Sequence, residues 1–211
     1  MRYFLLLICL LFSLNATAIC PKQKIDIVFK KKHGQVIYNH NLNHSEFYKV
    51  SPYKLPKNVR GLTVSKATVS MEVAGKSFRY LNSQCVGVKK IIFYIGFDDF
   101  KIYINKPYRV GTCEYYAVKD HEDEHVAIYK EGLEFFTPDI KKALRDAVKN
   151  LRPEQVHSQT RAQQVFKKQT DYIQNKIKPM LNHVNKKLHE KQAQIDTIES
   201  YKRVTKKCSN W

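Results

Sequence analysis

From Gly111 to Phe136 the chain reads GTCEYYAVKDHEDEHVAIYKEGLEFF, and here the spacing of apolar residues changes from two to about 3.6. Thr112 is a good N-cap, because its side-chain oxygen can accept from an amide of the first helical turn. At about 100° per residue, Glu114, Ala117, Val118, His121, His125, Ile128 and Gly132 fall on one stripe, while Lys119, Asp123 and Lys130 point the opposite way. The segment therefore reads as a helix from Thr112 to about Phe136, with both histidines on the face that meets the core.

Upstream, the pattern is that of strands. Lys24 to Phe29 alternates and runs into Lys30-Lys31-Lys32 before Gly34, with Gln35 to Tyr38 as the expected hairpin partner. Asn39 to Pro56 is polar, carries two prolines and reads as a loop. Further strands are expected at Ala67–Val73, Ser77–Leu81, Val88–Ile95 and Phe100–Ile104, with a turn at Ala74-Gly75 and a hairpin connection at Asp98-Asp99. Downstream, Thr137-Pro138-Asp139 starts a second helix into Ile140–Leu151, with Pro at its first position. A third start lies at Arg152-Pro153-Glu154. The apolar stripe Ile173, Ile177, Leu181, Val184, Leu188 and Ile195 follows, with a kink or break expected at Pro179. The class is α+β: an antiparallel sheet over residues 19–110, packed against the motif helix and long C-terminal helices over 111–211. Sheet and helices each need the other to bury an apolar face, so residues 19–211 read as one domain.

His121-Glu122-Asp123-Glu124-His125 satisfies the pattern H-E-x-x-H. Two histidines four apart project from one helix face and can reach one zinc ion. The glutamate beside the first would take a proton from water that the metal polarises, which is the chemistry of peptide or amide hydrolysis. The same five residues fit the reversed pattern H-x-x-E-H, with Glu124 as base. The helical wheel places Glu122 and Glu124 about equally beside the pair; the commoner forward pattern assigns the base to Glu122. A catalytic zinc also needs a third protein ligand. Glu131 stands where a metzincin would place it, but Ile128 replaces the helix-ending Gly, and a continuing helix turns Glu131 away. The other candidates are Glu154, His157, His183, His189, Glu190, Asp196 and Glu199, most of them residues of a polar helix surface. Asp196 is preferred, because it follows the apolar stripe and lies near Cys208. Tyr201 is placed to donate a hydrogen bond to a tetrahedral intermediate, although a packing role also accounts for it.

The N-terminus bears on compartment. Arg2, the apolar run Tyr3 to Leu14 and Ala16-Thr17-Ala18 form a signal-peptide pattern, so residues 1–18 are expected to be removed. The run is shorter than the ~20 residues a spanning helix needs, and no later stretch is long enough to cross a membrane. Cys20, Cys85, Cys113 and Cys208 remain, an even count that in an exported protein reads as two disulfides with three possible pairings. Cys20–Cys85 and Cys113–Cys208 are preferred; the second would fasten the tail, and Asp196 with it, to the start of the motif helix. The net charge is +18, with 29 Lys to 8 Arg spread along the chain. Arg is the residue suited to bidentate phosphate recognition, so specific nucleic-acid binding is not indicated. A solvated Lys-rich surface explains the charge; adhesion to anionic envelope components is the functional alternative.

Arg60-Gly61-Leu62-Thr63, Cys85, Lys101-Ile102-Tyr103-Ile104, and Gly111 to Val118 running into the motif and Val126 resemble a group of secreted proteobacterial proteins. More distantly they resemble the predicted secreted zinc-dependent proteases of bacteria. The resemblance covers roughly residues 60–135, and more loosely the tail Asp196 to Tyr201 with Cys208. It implies zinc binding and a predicted peptidase activity. In that protease group the tail carries Asp-x-x-Thr-x-His; here only Asp196 matches, with Glu199 and Tyr201 in the Thr and His places. The leading expectation is a periplasmic or secreted zinc metallopeptidase acting on a peptide or protein substrate. The alternatives are a non-catalytic metal-binding protein and a basic cell-envelope binding protein.

Overall fold

The front half folds into two mixed sheets whose strands follow one another across a common bend. The computed structural model describes residues 19–52, 54–55, 59–209 and 211; the expected leader at residues 1–18 lies outside them. Strands β1 (Asp26–Lys32), β4 (Ala67–Tyr80) and β5 (Ser83–Phe97) form one part, with β1 parallel and β4 antiparallel to the central β5. Strands β2 (Val36–Asn39), β3 (Gly61–Val64) and β6 (Phe100–Ile104) form the other, with β2 parallel and β3 antiparallel to the central β6. The register is continuous between the parts: Asp26 faces Lys90 and Val36 faces Phe100, the same offset on both sides of the bend.

The bend is stitched by short polar contacts. Asp98 N donates to Lys66 O (2.9 Å) and Phe100 N to Gln35 O (2.7 Å). Gln35 N donates to Asp99 Oδ1 (3.0 Å), and Thr68 Oγ1 donates to Asp98 Oδ1 (3.1 Å). Gly34 is required there, since a Cβ would stand 1.9 Å from Asp98 O. This corrects the expected antiparallel sheet, which is mixed. Gly34 does not reverse the chain into a hairpin, and Asp98-Asp99 carries one strand across the bend rather than between two neighbours. Ala74-Gly75 is also no turn: the register shifts there inside one long β4. The true hairpin turns at Leu81, whose φ is 50°.

The expected loop over residues 39–56 contains a short helix, α1 (His44–Val50). Asn43 N donates to Glu46 Oε2 (2.7 Å) in a capping box that sequence reading passed over. Phe47 is fully buried beneath it, against Tyr103.

Helix α2 (Cys113–Val148) begins where expected, with Tyr115 N donating to Thr112 Oγ1 (3.3 Å). It then runs straight through Thr137-Pro138, contrary to the expected restart. An interior proline costs about 3 kcal/mol or more, but Leu133, Phe136, Ile140, Leu144 and Ala147 are all buried on one continuous face. Thr137 Oγ1 also donates to Leu133 O (2.7 Å) one turn back. Arg152-Pro153-Glu154 leads into β7 (Glu154–Val156), which pairs with β5. Helix α3 (Gln159–Ile195), capped by Ser158, passes Pro179 unbroken, held by the buried Ile173, Ile177, Val184 and Leu188. A final helix, α4 (Ile198–Lys206), turns back toward α2.

The core lies between the sheet and the α2–α3 pair, around Ile91, Phe93, Ile102, Leu133, Leu144 and Ile173. Disulfides join Cys20 to Cys85 and Cys113 to Cys208, the pairings expected. They fit an oxidising, extracytoplasmic compartment. Among the described residues no helix is long and apolar enough to cross a membrane.

Candidate metal centre

His121 and His125 lie one turn apart on α2, both buried, with ring centroids 5.0 Å apart. Asp196 reaches them from the end of α3. That helix stops at Asp196, and Thr197 caps α4 by accepting from Ser200 N (3.2 Å). The Cys113–Cys208 disulfide then fixes the far end of α4 to the start of α2. Asp196 Oδ1 consequently lies 3.3 Å from His121 Nε2 and 3.2 Å from His125 Nε2. The three side chains can hold a metal ion, with ligand atoms all within 4.8 Å of one another.

The other candidates are engaged or placed elsewhere. Glu154 pairs with Lys168 (3.2 Å) and Glu190 with Lys187 (2.8 Å). His183 stands edge-on to Phe136. His157, Glu199 and Glu131 are exposed, and His189, also exposed, lines the same cavity as Asp196.

Two further groups orient the donors. Gln192 Nε2 donates to His125 O (2.9 Å), which turns Gln192 Oε1 toward His125 Nδ1. Gln192 Oε1 thereby accepts from His125 Nδ1, the usual device for orienting a ligating histidine, and Nε2 faces Asp196 Oδ1, to which it donates when the ring is charged. Tyr201 O–H donates to Asp196 Oδ1 (2.9 Å). Burial would lower the pKa of His125, but Asp196 and Glu122 outweigh it and raise it to about 9. Burial likewise works against the charged Asp196, and hydrogen bonds from His121 and His125 hold its carboxyl well below the usual range. Burial and then the Asp196 charge push the Tyr201 phenol up.

The two glutamates of the motif are in different surroundings. Glu124 is exposed. Glu122 is 4% exposed and lines a cavity of about 270 Å³ together with His125, Asp196 and Tyr201. Thr63 Oγ1, on β3, donates to Glu122 Oε2 (2.8 Å). Gly61 leaves room for the carboxyl: a Cβ there would stand 2.5 Å from Glu122 Oε1. Burial pushes the Glu122 carboxyl up, against the pull of His125 and His121.

Protein-family models, curated proteins and solved structures give no match to this chain. Sequence reading assigned no role to Gln192, and singled out Thr63 and Gly61 only within a resembling stretch. Gln192 did leave a signal: a polar residue on the apolar stripe, between Leu188 and Ile195. Gln169 is its counterpart on the same helix, buried and bonded to the amide of Val88 and the carbonyl of Arg152. Thr63 and Gly61 meet Glu122 only through the bend of the sheet, which no local pattern encodes.

Proposed function

We propose that this protein is a periplasmic or secreted zinc hydrolase of the metallopeptidase type, cleaving peptide or amide bonds. The observation that carries the reading is the meeting of Asp196 with the His121–His125 pair beside the buried Glu122. A His₂-carboxylate donor set suits zinc, for which tetrahedral ligand atoms stand ~3.3 Å apart; the two Asp196 contacts, 3.3 and 3.2 Å, fit that spacing. Zinc, when bound, supplies a Lewis acid that activates water toward a carbonyl. Thr63 holds Glu122 Oε2, so Oε1 is the oxygen that takes a proton and returns it to the leaving nitrogen. Tyr201 fixes Asp196 with its hydroxyl rather than standing free for substrate. Strand β3 borders the cavity at Gly61, Leu62 and Thr63 and pairs only with β6 among the described residues, so its other edge is available to an extended peptide. The resemblance of residues 60–135 to predicted secreted zinc proteases agrees with this reading.

A second reading, metal binding without catalysis, is favoured by one observation: Glu122 is pinned by Thr63 and packed against Gly61. Zinc stoichiometry on the purified protein, with and without His121→Ala/His125→Ala, tests both. Wild type holding no more metal than the double variant would sink the two together. Peptide hydrolysis lost in Glu122→Gln while zinc is retained selects the first reading, and no hydrolysis by zinc-loaded wild type selects the second.

A further inference from the structure

The cavity beside His125 does not end at Tyr129. Tyr129 and His189 also line an adjoining hollow of about 320 Å³. The same walls continue into it: β3 gives way to β4 on one side, and α3 forms the other. Its surface is apolar, made by Val69, Phe97, Leu133, Leu181 and Leu188. Exposed Asn182 and Asn185 stand along the α3 side.

We propose that this hollow is a specificity pocket, and that the substrate is a polypeptide with a bulky apolar side chain, of Leu or Phe size, beside the bond attacked. The inference rests on the hydrolase reading above and names its substrate. Three observations favour this occupant. The hollow shares Tyr129 and His189 with the cavity that holds Glu122 and Asp196, so it lies beside any chain that crosses the candidate metal centre. One wall is the edge of β3 and β4, which offers main-chain N–H and C=O groups that an extended polypeptide can pair with. The polar residues at the rim are Ser65, Asn182, Asn185 and His189, and among the described residues no Lys or Arg lines the hollow despite a net charge of +18. Within the hollow itself an anionic head would find no cation among the described residues, whereas an apolar side chain needs none. Burying a side chain of this size gives roughly a 10- to 100-fold gain in affinity.

The test is equilibrium binding, read by fluorescence anisotropy, of labelled octapeptides that differ at one central position: Leu, Phe, Gly or Asp. The full mature protein is used in its Glu122→Gln form, so that nothing is cut. Leu and Phe peptides are expected to bind about tenfold or more tighter than the Gly peptide. Val69→Glu and Leu181→Glu are each expected to remove that preference and leave Gly-peptide binding unchanged. Val69 is 47% exposed, so its variant keeps the test open if Leu181→Glu fails to fold. Equal affinities across the series overturn the proposal, as does a preference that survives in a folded variant. Dodecanoic acid binding in the hollow while peptides show no preference also overturns it. A preference in a protein that never cleaves peptides keeps the pocket and removes the hydrolase reading; cleavage without preference does the reverse.

Discussion

Gly61 and Gln192 shape the candidate metal centre without offering it a donor atom. A methyl group at position 61 would crowd Glu122 Oε1, Glu122 Cγ and Val118 Cγ1, all within 2.7 Å. Overpacking of that kind costs ~1–3 kcal/mol. Gly61→Ala should therefore lower the urea midpoint, displace Glu122 and reduce hydrolysis, with zinc content unchanged; activity equal to wild type would show that Glu122 needs no such fit. Gln192→Leu keeps the volume but removes the acceptor facing His125 Nδ1 and the donor to His125 O. Loss of an outer partner of a ligating histidine typically weakens metal binding ~10–100-fold. Competition with a chromophoric chelator measures this, and an unchanged affinity would mean that His125 is oriented by packing alone. His121, His125 and Glu122 were legible in five consecutive letters, since helical spacing alone brings them together. Gln192 was legible only as an anomaly in an apolar stripe.

The helices show where local rules hold and where they yield. Thr112 as N-cap was readable, because capping involves one side chain and an amide three residues on. Pro138 and Pro179 misled, because the buried faces of α2 and α3 continue past each proline and packing outweighs the lost bond. Helix α4 is a short element whose placement depends on its ends. Thr197 starts it, and the Cys113–Cys208 disulfide anchors its far end. Removing that bridge with Cys113→Ser/Cys208→Ser should cost roughly 4–5 kcal/mol in the chain-entropy model and also weaken metal binding, because Asp196 loses its tether. Removing Cys20–Cys85 instead should lower stability to a similar degree and spare metal affinity, since that bridge ties the N-terminus to β5, away from α4. Thermal melts with and without zinc separate the two effects; equal metal affinity in both variants would argue against the tether.

At the scale of the molecule, strand positions were largely legible and strand partners were not. Alternation reports which residues face a core, but β1 and β2 lie parallel to strands some sixty residues later, a choice made by the shared bend. The charge distribution carries its own expectation. Asp98, Glu134, Asp146 and Glu190 are each held below their ordinary pKa first by a hydrogen bond from a lysine: Lys32, Lys31, Lys142 and Lys187. A carboxyl lowered in the folded state adds stability above its unfolded pKa and loses it as pH falls through the folded value. These pairs are solvent-exposed, so each contributes little. The melting temperature should decline below about pH 4, as these carboxylates are protonated, and less steeply in high salt; a melting temperature that holds level through that range would contradict this. The corner at Asp196 also fixes an order of events. Its carboxylate follows His121 by 75 residues in the chain and is secured through Cys208. While the ribosome is still making α3, the two histidines have no third donor, and until the last bridge is oxidised that donor is loosely held. A metal taken up by this site would therefore find all three donors only after α3 is complete, and find the third held firmly only after Cys208 is bonded.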